Sequence, residues 1–381
     1  MTDARTDIFQ YENLTWPEVA ALPRDVPLVI PLGKGYDLSR LCQMLGNPSR
    51  LGLLPSIPYG WMGSGLDVSS AAFAPLAKNL LDSLRDDGFS RVLLLSPPGV
   101  DLGLGKSAVT LEKQAEPDVS ASFKPSLVVL IPIGHTEQHG HHLPLSTDSL
   151  IIDAIAQGTT AAIPDQAAAL PVMPYGVSTH RRAFAGTLNA GGRAFEDFYL
   201  AVIDALVARG FDRIYLMSGH GGNCSFLTTI VKYAGERHRR AFIATAWLYL
   251  SSPDGIAALY ELRRSKIGGM GHACELETSL ILHLRPELVH MDRVIDETDF
   301  VTSPSYYMDW IEGGALVANP PWDDDTQTGA YGAGSLATAE HGRLWREASI
   351  AEKVAHVREI DEQHRRREER RSTGYGLWGH S

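Results

Sequence analysis

Three short segments of the chain occur twice, in the same order. IPLG at 30–33 is matched by IPIG at 131–134, LPSIPYG at 54–60 by LPVMPYG at 170–176, and GFSRVLLLSPPG at 88–99 by GFDRIYLMSGHG at 210–221. The offset rises from 101 to 116 to 122 residues, so aligning the two copies requires only insertions in the second one. Because such self-similarity marks a repeated structural unit, we predict that a shortened copy of one unit precedes the complete one.

The second copy has the pattern of an α/β unit. SLVVLIPIG at 126–134 and RIYLMSGHGG at 213–222 are apolar runs of the length of buried strands, and the segment at 193–210 between them has apolar residues at helical spacing before a glycine. Buried strands that alternate with helices are typical of parallel sheets with crossover helices. We predict an α/β three-layer sandwich with a mainly parallel central sheet flanked by helices, plus a smaller N-terminal α/β half-repeat.

The repeat also gives the predicted domain boundaries. Residues 1–123 hold the degenerate half-repeat and a polar linker, residues 124–363 the complete domain, and residues 364–381 a charged C-terminal tail that begins as the solvated end of a helix. The first copy lacks ligand-type residues, since Pro98 stands where the second copy has His220. A structural or gating role is therefore expected for the first copy.

Charge and composition limit the partners of this 381-residue chain. Its net charge of -11 and pI of about 5.7 repel phosphate backbones and anionic lipid surfaces, so neither nucleic acid nor a membrane is expected as a partner. The start of the chain has no basic stretch followed by an apolar one, and no later apolar run approaches about 18 residues. With only three cysteines, which are too few for a disulfide framework, a cytoplasmic location is expected.

One segment, IPIGHTEQHGHHLPLSTDSL at 131–150, holds four of the 14 histidines and two acids. Glu137 and His139 are two residues apart, so on an extended segment their side chains project to the same side. Asp148 can return to that point after the chain turns, and its two oxygens can bridge two cations. His220 follows a buried strand among glycines, where α/β sheets gather their sites. These four residues are candidate metal ligands.

The mixture of Asp, Glu and His favours Zn²⁺, Mn²⁺ or Fe²⁺ over Ca²⁺ and Mg²⁺. Such ions commonly serve hydrolysis, because they lower the pKa of bound water toward about 7. The alternative interpretation of the loop is a set of surface or hydrogen-bonded histidines. For GHACELETSLILHL, at 271–284, the alternative is an ordinary buried helix on which Glu275 is exposed.

Four motifs in the same order resemble the creatininase family of metal-dependent amidohydrolases: GHTEQHGHHLPLSTD, PYGVSTHRRAFAGTLN, GFDRIYLMSGHGGN and GHACELETS. The resemblance spans about residues 124 to 363 and implies a compact α/β domain, a two-metal centre and often a closed ring of subunits. Glu137, His139, Asp148 and His220 match the family's metal ligands, with Asp148 in the bridging place.

The resemblance also assigns roles outside the loop. His272 matches a histidine proposed to move protons, and Glu277 matches the acid of the family's ETS motif at the metal site. Gly222 stands where creatininase itself has a glutamate, so Glu277 is predicted to complete the shell of the second metal ion. His141 and Ala185 replace prolines that are usual in the family, near the expected pocket, and the first copy is an addition to the family's pattern.

The predicted function is that of a metal-dependent amidohydrolase, a hydrolase acting on carbon–nitrogen bonds other than peptide bonds, with a small cyclic amide or formamide as substrate. Its predicted cofactors are two divalent metal ions, Zn²⁺ first and Mn²⁺ or Fe²⁺ as alternatives, and a homo-oligomer is expected. The candidate residues are catalytic His272 and Glu277, metal ligands Glu137, His139, Asp148, His220 and Glu277, and substrate contacts His142, His180 and Trp247, with the segments around Trp310 and Trp322 as further contacts. The alternative functions are an inactive binding or scaffold protein and a peptidase that trims a short peptide.

Overall fold

The computed structural model describes residues 6–179, 183–310 and 313–374, in which strands and helices alternate. The strands are β1 (Asp7–Gln10), β2 (Leu28–Pro31), β3 (Arg50–Leu53), β4 (Val92–Ser96), β5 (Ala108–Thr110), β6 (Val128–Ile133), β7 (Ala167–Ala169), β8 (Arg213–Ser218), β9 (Phe242–Thr245), β10 (Met270–His272) and β11 (Tyr331–Gly332). The helices are α1 (Trp16–Ala20), α2 (Leu38–Met44), α3 (Ser70–Asp86), α4 (Thr147–Ala162), α5 (Gly192–Ala208), α6 (Cys224–Arg237), α7 (Pro253–Leu262), α8 (Glu275–Leu284) and α9 (Ala339–Ser372).

Two parallel sheets share the order of four strands, and the first sheet has one strand more. The first runs β1-β3-β2-β4-β5 and the second β7-β6-β8-β9, and every pair of neighbours in both sheets is parallel. Four strands of the first sheet therefore correspond in position to the four of the second: β3 to β7, β2 to β6, β4 to β8 and β5 to β9. All six residues of β6 are buried, as expected where helices cover both faces of a sheet. The architecture is α/β with parallel sheets flanked by helices, as predicted.

The backbone also turns in the same way after the two central strands. Gly33 donates its N–H to the carbonyl of Ile57 at 2.9 Å, and Gly134 donates to the carbonyl of Met173 at the same distance. The repeated segments therefore lie at equivalent places in the two sheets. The difference comes next. In the second unit, residues 134–146, which hold the predicted ligands Glu137 and His139 and are here called the metal loop, lead to α4, whereas the first unit continues to the short helix α2.

The two units share one hydrophobic core through α3 and α5. The ring of Phe198 on α5 lies 6.3 Å from that of Tyr59 and 6.0 Å from that of Phe73 on α3. A Cβ atom at Gly60 would lie 2.3 Å from the ring of Phe198, so only glycine fits there. Buried residues of both sheets belong to this core, among them Ile30 and Ile131. The first unit is therefore packed against the second rather than tethered to it.

Part of the predicted linker is instead a strand. Ala108–Thr110 forms β5, which pairs with β4 at the edge of the first sheet, and Leu111 after it is buried. The strand is only three residues long and two of them are exposed, so its polar surroundings conceal it in the sequence. At the other end of the chain, residues 364–372 continue α9, and most of them are exposed.

The sheet positions the ends of β6 and β8 side by side. Their register pairs Ile133 with Ser218, so the segments that follow the two strands begin next to each other. Ligands of parallel sheets bind outside the carboxyl ends of the strands. Across the described residues, every helix is too short or too polar to span a lipid bilayer.

Candidate metal centre

Four parts of the chain bring acids and imidazoles to one buried point. Glu137 and His139 follow β6, Asp148 lies in the first turn of α4, His220 follows β8, and Glu277 lies in the first turn of α8. All five residues are buried, with at most 3% of their surface exposed. A carboxylate in the first turn of a helix is stabilised by the positive end of the helix dipole, which favours Asp148 and Glu277 at these places.

Asp148 lies between the two imidazoles. Its Oδ1 is 3.1 Å from Nε2 of His139, and its Oδ2 is 3.3 Å from Nδ1 of His220. Glu137 approaches the second imidazole, with Oε2 3.0 Å from Nδ1 of His220, while Oε1 of Glu277 is 3.9 Å from Nε2 of His139. The five residues therefore form two groups of three donors that share one carboxylate.

Backbone carbonyls fix the orientation of both imidazoles. Nδ1 of His139 lies 3.0 Å from the carbonyl oxygen of Glu137, and Nε2 of His220 lies 3.0 Å from that of Val177. Because a carbonyl only accepts, these nitrogens carry the protons and donate. The other nitrogen of each ring faces the carboxylates, and loss of its proton to a metal ion would leave a lone pair there, as in protein histidines held for metal binding.

The charges of the centre fit divalent cations. Three carboxylates are buried together, and the ion pairs described for them all go to histidines. Burial alone would lower the pKa of His220, but Glu137 and Asp148 outweigh it and raise this pKa to about 10. Without a cation, protons on the imidazoles must offset the buried negative charge. Two divalent ions would offset it instead, and nitrogen and oxygen donors of this kind suit Zn²⁺, Mn²⁺ or Fe²⁺.

His272 lies beside the two groups of donors. Its ring is 4.1 Å from that of His139, and its Nε2 lies 2.7 Å from the carbonyl oxygen of Gln138, to which it donates. The proton is thereby held on Nε2, which leaves Nδ1 as the nitrogen that can accept or return a proton. The next residue, Ala273, has a φ of 50°, so the backbone between β10 and α8 is held in a left-handed conformation.

A cavity of about 520 Å³ opens onto His220, His272 and Glu277. Its lining includes the aromatic residues Phe226, Trp247, Phe300, Trp310, Trp322 and Tyr331. The three tryptophans named from the sequence thus line one cavity, and Trp247 has 54% of its surface exposed. The position of this cavity over the donor groups makes it the candidate substrate site.

Two of the predicted substrate contacts are not placed at this cavity by the described residues. His142 has 1% of its surface exposed, and its Nε2 lies 2.9 Å from Oγ1 of Thr278 on α8, so it packs the loop against that helix instead of lining the cavity. Burial lowers its pKa to about 4, which keeps the ring neutral. His180 lies outside the described residues.

Glu275 is not exposed, contrary to the plain-helix alternative for the segment at 271–284. It is fully buried, and its carboxylate accepts from the backbone N–H of Arg264 at 3.0 Å and of Ser265 at 2.8 Å. The turn that supplies these donors lies before β10, outside the helix, so helical spacing alone does not reveal them. Both acids at the start of α8 are therefore buried with partners, and only Glu277 belongs to the donor groups.

His135 and Gln138 also lie at the centre and were not predicted from the sequence. His135, Glu137 and His220 have ligand-type atoms within 4.8 Å of one another. However, Nδ1 of His135 accepts from the backbone N–H of Gly176 at 2.9 Å, so its proton is on Nε2 and the ring is a donor rather than a ligand. The alternation that joins Glu137 to His139 extends back to residue 135 and could have identified this side chain. The side chain of Gln138 donates to the carbonyl of Gly329, 191 residues away, so no pattern around residue 138 predicts this contact.

Comparison with known proteins gives one family. The family model described as creatininase, creatinine amidohydrolase, matches residues 112–357, a range that contains all five candidate ligands. A creatinine amidohydrolase of Pseudomonas putida is 30% identical over 192 residues, which cover 47% of this chain and 72% of that protein. A mycofactocin precursor peptide peptidase of Mycobacterium ulcerans (strain Agy99) is 32% identical over 223 residues, covering 56% of this chain and 78% of that protein.

Solved structures give the same result. A structure of creatininase with Mn aligns with a TM-score of 0.52 at 26% identity, covering 63% of this chain and 92% of the other. A creatininase variant of the Zn–Zn type aligns with a TM-score of 0.52 at 26% identity, covering 61% and 90%. The similarity covers nearly all of these chains and leaves over a third of the present one outside it.

Proposed function

Because the chain belongs to the creatininase family, whose members hydrolyse carbon–nitrogen bonds, we propose that it is a metal-dependent amidohydrolase acting on a small amide or formamide. The observation that carries the proposal is the place of Asp148, whose two oxygens face His139 and His220 at 3.1 Å and 3.3 Å. A carboxylate shared in this way can bridge a pair of neighbouring metal ions.

Two sets of residues would hold the ions. Glu137, Asp148 and His220 would hold one, and His139, Asp148 and Glu277 the other, with Zn²⁺ or Mn²⁺ supported by the creatininase structures. When bound, such ions lower the pKa of water toward about 7 and polarise the carbonyl that is attacked. The carbonyls of Glu137 and Val177 keep the two imidazoles turned toward the ions.

The proposed role of His272 is to move a proton. Cleavage of an amide requires a proton on the leaving nitrogen, because a deprotonated amine is a very poor leaving group. His272 borders the cavity, and its Nε2 is held by the carbonyl of Gln138, so Nδ1 is the atom that would take up and return the proton. The aromatic walls would keep bulk water away from this exchange.

The first experiment is metal analysis by mass spectrometry on protein purified without added metal or chelator. About two equivalents of Zn, Mn or Fe are expected in the wild type, falling below one in His220→Ala. His238→Ala is the matched control, since His238 pairs with Asp204 on α5, outside the donor groups, and should leave the metal content unchanged. A wild-type protein that neither contains nor binds these ions would contradict the proposal.

The second experiment is a panel of cyclic amides, formamides and short peptides, tested with Zn²⁺ and with Mn²⁺. Turnover of a non-peptide amide would support the proposed activity. A protein with two metal ions that hydrolyses no member of the panel would favour the alternative of a binding or scaffold protein.

The size of the cavity favours a peptidase as the second candidate function. A volume of about 520 Å³ is in the range of about 300–1,000 Å³ that holds drug-sized ligands, and it exceeds the need of a single small ring. One relative, which is 32% identical to this chain over 223 residues, is named a mycofactocin precursor peptide peptidase. Turnover restricted to the short peptides of the panel would select this candidate over the first.

A further inference from the structure

The first unit contacts the metal loop directly through residues 12–18, here called the N-terminal segment. The backbone N–H of Leu145 donates to the carbonyl of Leu14 at 2.9 Å, and that of Ser146 donates to the carbonyl of Glu12 at 2.9 Å. Ser146 is two residues before the bridging carboxylate of Asp148. The N-terminal segment therefore fixes the part of the loop that leads into α4.

Trp16 extends this contact to the far side of the site. Its indole N–H donates to the carbonyl of Thr328 at 2.8 Å, and its ring lies 5.2 Å from that of His141 and 5.4 Å from that of Phe184. His141 and the neighbour of Phe184, Ala185, are the two places where the loop segments depart from the family's prolines. The added N-terminal segment and these departures thus meet at one point.

Thr328 belongs to a turn, residues 326–331, that borders the centre. Glu297 holds the turn, because its carboxylate accepts from the hydroxyls of Thr326 and Thr328 and from the N–H of Gln327 at 2.7 Å. The turn ends at Tyr331, a wall of the cavity, whose ring is 3.9 Å from that of Phe300. An anchor on Thr328 therefore acts on the cavity wall.

The same turn holds the metal loop from the other side. The carbonyl of Gly329 accepts from Nε2 of Gln138 at 2.8 Å, and the carbonyl of Gln138 accepts from His272 at 2.7 Å. Three hydrogen bonds, joined by the backbone from Thr328 to Gly329 and by the residue Gln138, thus connect the indole of Trp16 to the imidazole of His272.

We propose that Trp16 is a positioning residue for the active site of the second unit. Its indole N–H holds the turn at 326–331 in the place where Tyr331 forms the cavity wall and Gly329 restrains Gln138. The first unit, which has no ligands of its own, contributes to the site in this way. This inference rests on the proposed function to the extent that the aromatic cavity is taken as the substrate site.

The test compares Trp16→Phe, which keeps a ring but removes the N–H, with Trp345→Phe as a matched control. Trp345 is a fully buried indole in the second hydrophobic cluster, and its Nε1 has no hydrogen-bond partner among the described residues. Both variants replace an indole by phenyl. Trp16 is partly buried and Trp345 fully buried, so a loss of packing should be at least as large in the control. Only the first removes a hydrogen bond to the turn.

Hydrogen–deuterium exchange of the metal-free full chain tests the anchor without any metal. Trp16→Phe is expected to raise the exchange rate in peptides that cover residues 326–331 at least tenfold, whereas Trp345→Phe leaves these peptides as in the wild type. Unchanged exchange in Trp16→Phe, or equal acceleration in both variants, would overturn the proposal.

Two probes of the Co²⁺-loaded protein test the effect on the cavity. Benzohydroxamate carries a metal-chelating group and a phenyl ring, whereas acetohydroxamate carries the chelating group with only a methyl. In visible-absorption titrations, Trp16→Phe is expected to bind benzohydroxamate at least tenfold more weakly and acetohydroxamate within twofold of the wild type. Equal losses for both probes, or no loss, would contradict a role in the cavity wall. A wild-type protein without Co²⁺ bands would contradict the proposed metal centre, and the exchange experiment would still decide the role of Trp16.

Discussion

Asp148 is the residue on which both donor groups depend. An amide in its place keeps the size of the side chain but loses the charge that faces His139 and His220. Asp148→Asn is expected to reduce the bound metal from about two equivalents to below one. The loss in metal affinity should exceed the roughly 10–100-fold that is typical when a residue supporting a ligand is removed. Equilibrium dialysis with mass spectrometry measures both. Asp153→Asn on the same helix is the control, and full metal content in Asp148→Asn would contradict the bridging role.

Glu12 gives the fold a pH dependence. It borders a second cavity near Ser146, and burial raises its pKa to about 7. Since the folded-state pKa lies above the unfolded value of about 4.5, the contribution of Glu12 to stability is largest below pH 4.5 and is lost as the pH rises through 7. Glu12→Gln removes this loss, so the variant should be more stable than the wild type by about 1–3 kcal/mol at pH 8 and equally stable near pH 4.

Urea unfolding at the two pH values measures this difference. Glu112→Gln, at an exposed position, is the control and should show no gain at either pH. An unchanged free energy of unfolding for Glu12→Gln at pH 8 would show that the carboxylate of Glu12 is not destabilising there.

At the scale of residues, the sequence predicts those members of the site that are close along the chain. The alternation of Glu137 and His139 follows from strand geometry, and these two side chains do converge with Asp148. Gln138 and Glu275 could not be interpreted in this way. The partner of Gln138 is Gly329, 191 residues away, and the partner of Glu275 is a turn outside its helix. Their roles are set by tertiary contacts that leave no local pattern.

Helix α9 holds the loop that carries Trp247. Two residues of this loop, Leu248 and Leu250, have positive φ angles of 42° and 56°, which are unfavourable for leucine. The carbonyl of Leu248 accepts from Nζ of Lys353 at 3.0 Å, and Lys353 is paired with Glu352 at 2.7 Å in the interior. The long helix therefore compensates the strain of a loop at the mouth of the cavity.

Lys353→Met should destabilise the protein strongly. The change leaves the carboxylate of Glu352 buried without its cation, and loss of one partner of a buried pair costs about 3–5 kcal/mol. The free energy of unfolding from denaturant titrations measures the loss. The double variant Lys353→Met with Glu352→Gln removes the stranded charge and should recover part of it. A loss below about 1 kcal/mol in the single variant would contradict this role of the pair.

At the scale of elements, length decides what the sequence predicts. The apolar runs of β6 and β8 are six residues each and are evident from composition alone. β5, β10 and β11 have two or three residues, and they exist because a neighbouring strand supplies hydrogen bonds. Pairing of such short strands is determined by tertiary context rather than by local preference.

The whole molecule should unfold in one step despite its two sheets. Phe198 packs against Tyr59 and Phe73 of the first unit, and one hydrophobic core includes residues of both sheets. Differential scanning calorimetry is expected to give a single transition with equal calorimetric and van't Hoff enthalpies. Phe198→Ala should lower the stability of the whole chain by about 3–5 kcal/mol. Two separate transitions in the wild type would contradict a shared core.

At the scale of the molecule, the repeated segments predict two units of related fold but not how they pack. The order of four strands that the two sheets share agrees with the repeat, whereas the contact between α3 and α5 depends on the faces of two helices more than a hundred residues apart. Nor does the sequence indicate that Trp16 reaches Thr328, because single contacts between distant segments have no periodic pattern.

The contact of Phe198 with the first unit also bears on how such a chain can evolve. If the first unit arose by duplication, the loss of its ligands released its strand ends from selection for chemistry, but the side of α3 that faces α5 remained under selection for stability. A deletion of the first unit would expose the apolar face of α5 to water in the same step. Among related chains that carry both units, substitutions should therefore accumulate at the strand ends of the first unit and be rare at Tyr59, Gly60 and Phe73.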